Sequence, residues 1–80
     1  MDITNNECNS IISYNIKRER KSVKLTQADV ANKMNITSMT YKRIENNPIR
    51  RDIQELYTIA NIIGCPISKF FLGTNVTKSD

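Results

Sequence analysis

Histidine is missing from this 80-residue chain, and cysteine occurs only twice, as Cys8 and Cys65, far apart and in no Cys-x-x-Cys pair. Four nitrogen or sulfur ligands cannot be assembled from that inventory, so a zinc finger is excluded. A histidine-based triad and a histidine general base are excluded for the same reason. The two thiols read as incidental or buried groups of a reducing compartment, and nothing in their spacing argues for a disulfide. Glycine also occurs only twice, so there is no glycine-rich phosphate loop, and the carboxylates are not clustered. An enzyme is therefore the least expected class, and neither a cofactor nor a metal is expected. Long apolar runs are absent too. The longest, counting glycine, cover only four residues, as at 62–65, whereas a membrane span needs about 20 residues. The first ten residues carry Asp2 and Glu7 and no base, unlike the basic start of a secretory signal. The expected location is the cytoplasm.

What is present is an ordinary small-globule composition, 39% apolar and 25% charged, which suits one folded domain. The net charge is +4, and its placement matters more than its size. Residues 16–51 hold ten bases against three acids, a local excess of +7, while both flanking segments are slightly acidic. A basic excess confined to one segment suits a polyanionic partner.

Residues 1–9 are polar, rich in asparagine and without apolar period, and read as a flexible leader. Ile12, Ile16 and Val23 then recur at spacings of four and seven, which predicts a helix over about 11–22. Thr26-Gln27-Ala28-Asp29 fits a capping box and opens a second helix over 27–34, with Val30, Ala31 and Met34 inward. Asn35 tolerates the left-handed conformation of a tight turn, and Thr37 is a further N-cap, opening a third helix over 38–46. Asn47-Pro48 ends it. Asp52-Ile53-Gln54-Glu55 reads as another capping box, followed by the stripe Ile53, Leu56, Ile59, Ala60 and Ile63, with Gly64 closing the helix. Ile67, Phe70 and Phe71 mark a last short helix before Gly73, and residues 74–80 read as a flexible tail. No strand or repeat appears. The expected fold is all-α, five short helices around one core in a domain over residues 10–73, with two of them separated by the short turn of a helix-turn-helix.

On the third helix Tyr41 and Ile44 face the core. Ser38 and Lys42 are four apart, as are Met39 and Arg43, so these four form one outward strip. A helix fits the DNA major groove, where arginine bonds the two acceptors of guanine, serine donates or accepts, and methionine touches a thymine methyl. Ser38, Met39, Lys42 and Arg43 are thus the candidate base-reading residues.

The run from Leu25 to Asn46 resembles the lambda-repressor-like helix-turn-helix of the Cro/C-repressor (XRE) family. Leu25, Thr26, Gln27, Ala31, Ile44 and Glu45 match the family pattern, with Val30, Ile36 and Thr37 as close substitutes, and the resemblance covers about residues 11–73. It implies a sequence-specific regulator of transcription, most often a repressor, that binds double-stranded DNA as a homodimer on an inverted repeat. A regulatory partner protein is a further possibility under that resemblance. By position, Gln27, Asn46, Arg50 and Arg51 resemble the family's phosphate contacts, and Arg20 and Glu45 resemble a pair joining the first helix to the third. Three positions depart from the pattern. Lys24 and Asn35 stand where glycines are usual, and Tyr41 replaces a smaller aliphatic residue, which implies repacking or a partly exposed hydroxyl. Two alternatives stay open. One is a restriction-modification controller or antitoxin of the same fold. The other is a protein-interaction module that never meets DNA, although such a module needs no +7 segment centred on a helix-turn-helix.

Overall fold

The computed structural model describes residues 4–74. Four α-helices follow one another: α1 (Asn5–Ser22), α2 (Gln27–Lys33), α3 (Ser38–Asn46) and α4 (Ile53–Ile63). Two 3-10 turns, Pro48–Arg50 and Ile67–Phe71, complete the described residues, among which there is no strand. The fold is all-α as the periodicity implies, but the expected fifth helix is the second of these 3-10 turns. Among the described residues no helix is long and apolar enough to cross a membrane.

The largest departure lies at the start. Residues 5–9, expected in a leader, are the first turns of α1. The Thr4 hydroxyl accepts from the Glu7 N–H at 3.1 Å and the Glu7 carboxylate accepts from the Thr4 N–H at 2.8 Å. This capping box satisfies two otherwise orphaned donors and starts the helix well before its apolar stripe begins. Residues 4–9, expected outside the domain, are therefore part of the folded unit. Residues 1–3 of the expected leader and 75–80 of the expected tail lie outside the described residues. Thr74, the first residue of that tail, is tied back by its hydroxyl to the Phe71 carbonyl at 2.6 Å.

Three helices end in the same way. Lys24, Asn35 and Gly64 all take positive φ, at 61°, 59° and 91°. After each, the next N–H reaches back to a carbonyl in the last turn: Leu25 to Arg20, Ile36 to Ala31 and Cys65 to Ala60. These are Schellman ends, and the left-handed residue lets the chain turn sharply into the following element. At α4 the expected capping box does not form. Asp52 makes no side-chain cap bond, because its carbonyl already receives the Glu55 and Leu56 N–H groups at 3.0 and 3.3 Å.

Ile12 and Ile16 of α1, Val30 and Ala31 of α2, Tyr41 and Ile44 of α3, Leu56, Ile59, Ala60 and Ile63 of α4, and Phe70 form one buried cluster. Met34, Ile67 and Phe71 pack against it partly buried, and two residues expected in the stripes are exposed. Val23 is exposed because it is the C-cap residue, where α1 has already ended. Ile53 opens α4 and is exposed, so the buried stripe begins at Leu56. Asn15 is buried within this core. Its amide donates to the Phe70 and Leu72 carbonyls at 2.9 and 2.7 Å, which fastens the C-terminal 3-10 turn to α1 and satisfies carbonyls that a 3-10 turn leaves free.

Candidate nucleic-acid interface

α2 and α3 are positioned by paired caps. Thr26 and Asp29 form the reciprocal box at the start of α2, and the Thr37 hydroxyl accepts from the Thr40 N–H at 3.1 Å at the start of α3. Between them Asn35 closes α2, so the axis of α3 is set within four residues of the end of α2. Ser38, Met39, Lys42 and Arg43 all lie exposed on α3. Met39 is 60% exposed, a large apolar side chain held out on a short, otherwise polar strip.

The inner face of the same helix is a polar cluster. The Glu45 carboxylate is fully buried. Its Oε2 accepts from Arg20 Nε at 2.8 Å and from the Tyr41 hydroxyl at 2.6 Å. Its Oε1 accepts from Arg20 Nη2 at 3.1 Å and from Gln27 Nε2 at 2.8 Å. Arg20 spends a third N–H on the Leu25 carbonyl at 2.9 Å. One carboxylate thus ties α1, α2 and α3 together through four charge-assisted bonds. Burial pushes the Glu45 carboxyl up, but the bonds from Arg20, Tyr41 and Gln27 outweigh it and hold the group below its ordinary value. Burial and the bond to Glu45 push the Tyr41 phenol far above its usual range, so it remains a donor. Burial works against the Arg20 charge, and Glu45 more than restores it.

Arg20 and Glu45 are therefore in direct contact between the first and third helices. Tyr41 is wholly buried, not partly exposed. Its hydroxyl finds a carboxylate four residues along its own helix, which is how a large phenol is accommodated at this position. Gln27 is half-buried and its amide is engaged with Glu45 rather than directed freely outward.

Asn46 ends α3, one turn beyond Lys42 and Arg43, and is exposed. Arg50 is exposed on the 3-10 turn and Arg51 follows it, half-buried. Asn9, which the sequence reading leaves in the leader, fixes this corner. Its amide donates to the Asn46 carbonyl at 3.0 Å and its side-chain oxygen accepts from the Ile49 N–H at 3.1 Å. The signal that reveals it is the capping pair Thr4 and Glu7, which carries α1 back far enough to bring Asn9 against the end of α3. Both thiols are free and half-buried, and burial pushes the Cys65 thiol up.

An exposed strip on one helix, a second helix packed across it through a left-handed turn, and a basic loop after the strip are the parts of a DNA-reading unit. Comparison with curated proteins and with solved structures finds no match. A helix-turn-helix family model matches residues 16–70, which includes α2, α3, α4 and the last seven residues of α1. The chain accordingly belongs to the Cro/C1-type (XRE) helix-turn-helix family of DNA-binding regulators.

Proposed function

We propose that the protein is a sequence-specific transcriptional repressor that places α3 in the major groove of double-stranded DNA. The observation that carries this reading is the two-sidedness of α3. Ser38, Met39, Lys42 and Arg43 are all exposed on the helix, while Glu45, braced by Tyr41 on the same helix, locks it to α1 and α2. A reading strip is useful only if its aim is fixed, because base discrimination depends on hydrogen-bond geometry.

In this reading Arg43 bonds the O6 and N7 acceptors of a guanine, Ser38 and Lys42 bond neighbouring base edges, and Met39 packs on a thymine methyl. Asn46, Arg50 and Arg51 hold phosphates and set the register. Gln27 contributes by position, since its backbone N–H is one of the free donors at the start of α2. The protein acts as a homodimer in the cytoplasm, its two α3 helices reading half-sites about one helical turn apart. Repression follows from occupying a promoter.

Selection of bound duplexes from a random pool tests this. The expected result is an enriched inverted repeat with half-site centres about 10 base pairs apart. Failure to enrich any sequence, with the protein folded, overturns the reading in favour of a protein-interaction role.

A further inference from the structure

The first helix carries a basic, aromatic strip that neither the α3 strip nor the loop after it absorbs. Tyr14, Lys17, Arg18 and Lys21 follow three- and four-residue spacing, so they share one face of α1, and they line a shallow groove there. Tyr14 is 64% exposed, and the Arg18 guanidinium stands 5.8 Å from the centroid of its ring. Arg18 also lies 3.3 Å from Glu19, so part of its charge is answered locally. Among the described residues Lys17 and Lys21 join no ion pair. Glu19 is two residues after Lys17, hence about 200° round the helix and on its other side. Its charge is felt there by the Cys65 thiol.

This strip is continuous with the end of the recognition helix. Tyr14 and Lys17, together with Asn9, Ser10 and Ser13, line a second groove whose remaining wall is Asn46. Asn9 also lines an adjoining cleft that contains Asn47 and Arg50. The surface therefore runs from Arg50 past Asn9 and Asn46 to Lys17 and Tyr14, with cations at its ends and amides and hydroxyls between. No carboxylate lines either groove. A phosphodiester backbone accepts hydrogen bonds and never donates them, so a track of cations and neutral donors without acids suits it.

We propose that α1 is a second phosphate-holding element, in which Lys17 binds a phosphate of the duplex read by α3 and the Tyr14 hydroxyl donates to the adjacent backbone oxygen. The proposal rests on the DNA-binding reading above and adds to it a contact outside the helix-turn-helix pair. Lys17 is half-buried. Partial burial of this kind suits a lysine, whose aliphatic stem can pack while its ammonium reaches solvent.

The test uses the full chain and a duplex recovered from the random pool, beside a scrambled one. Affinities are measured for wild type, Lys17→Gln, Lys17→Arg, Tyr14→Phe and Arg50→Ala at two salt concentrations. Lys17→Gln is expected to weaken both duplexes about eightfold per contact near 0.1 M salt, and to make the log–log salt slope shallower by about 0.9 per contact. Lys17→Arg keeps the charge and retains wild-type affinity and slope. Tyr14→Phe weakens both duplexes without changing the slope. Ethylation interference should show one phosphate whose effect disappears in Lys17→Gln and persists in Arg50→Ala. If Arg50→Ala weakens binding while Lys17→Gln keeps wild-type affinity, slope and interference pattern, this proposal falls and the DNA-binding reading stands. The α1 strip would then fit an acidic protein partner. If wild type binds no duplex, both fall.

Discussion

At the scale of single residues, Glu45 decides most. Removing its carboxylate leaves Arg20 buried without its counter-charge, together with an unpaired Tyr41 hydroxyl and Gln27 amide. Breaking a buried pair from one side costs about 3–5 kcal/mol, a large share of what holds a small domain together. Glu45→Ala is expected to lose that much in urea unfolding. Tyr41→Phe leaves the carboxylate its other donors and should lose about 1 kcal/mol. The pH dependence has a definite sign. Glu45 titrates lower in the folded chain than in the unfolded one, where the ordinary value is about 4.3. Its contribution is therefore full above that value and is lost as pH falls through the lower folded value. Glu45→Gln should be less stable than wild type at pH 7 and show a shallower acid limb, measured by denaturant unfolding across a pH series. Parallel acid limbs for the two proteins would show that this carboxylate is not what titrates. The Arg20–Glu45 contact is readable from the family-like pattern around the two residues. The roles of Tyr41 and Gln27 are not, because spacing places a side chain on a face without saying which buried acceptor it will meet.

At the scale of elements, caps and turns explain where the sequence was legible. Thr26, Thr37 and Gly64 mark helix ends with local chemistry that a single sequence displays, and α2 and α3 lie within a residue of their expected bounds. The start of α1 is displayed equally by Thr4 and Glu7, but its apolar stripe begins only at Ile12, so periodicity alone starts the helix too late. Lys24 is the weak point among the caps. A side chain in the left-handed region costs about 1–2 kcal/mol where glycine costs almost nothing, partly offset by the greater freedom of glycine when unfolded. Lys24→Gly is expected to stabilise the fold by about 0.5–1 kcal/mol, and Asn35→Gly by less, both read as a rise in melting midpoint. The exposed strip and the loop after it should separate in binding. Arg43→Ala should cost about 1–3 kcal/mol on a selected duplex and relax preference at one position of a half-site. Arg50→Ala should weaken selected and scrambled duplexes alike, because phosphate contacts carry no sequence information directly. Equal losses on both duplexes for Arg43→Ala would move base reading to Lys42 and Ser38.

At the scale of the whole molecule, the all-α arrangement and the helix-turn-helix were legible because both are written in local periods and caps. The corner that joins α1 to the end of α3 was not. Asn9 makes its two bonds across 37 and 40 residues of sequence, and no period encodes a side-chain amide meeting a distant backbone. Asn46 and Ile49, the backbone partners in that corner, belong to the basic segment that holds the entire positive excess of the chain. Its charge bears directly on how binding responds to salt. Each phosphate neutralised releases condensed counterions, so the logarithm of affinity falls with the logarithm of salt by about 0.9 per phosphate. A dimer neutralising roughly 6–8 phosphates through Arg50, Arg51 and neighbouring lysines should give a slope of about −5 to −7; Gln27 and Asn46 would hold phosphates without adding to the slope, and phosphates held by Lys17 would steepen it further. Base contacts through Ser38 and Met39 release no counterions, so removing them should change affinity while leaving the slope alone. Titration of a selected duplex over a range of salt measures both quantities at once. A slope near zero would mean that the +7 segment faces solvent and not a phosphate backbone, leaving α3 as an exposed helix without an electrostatic reason to meet DNA.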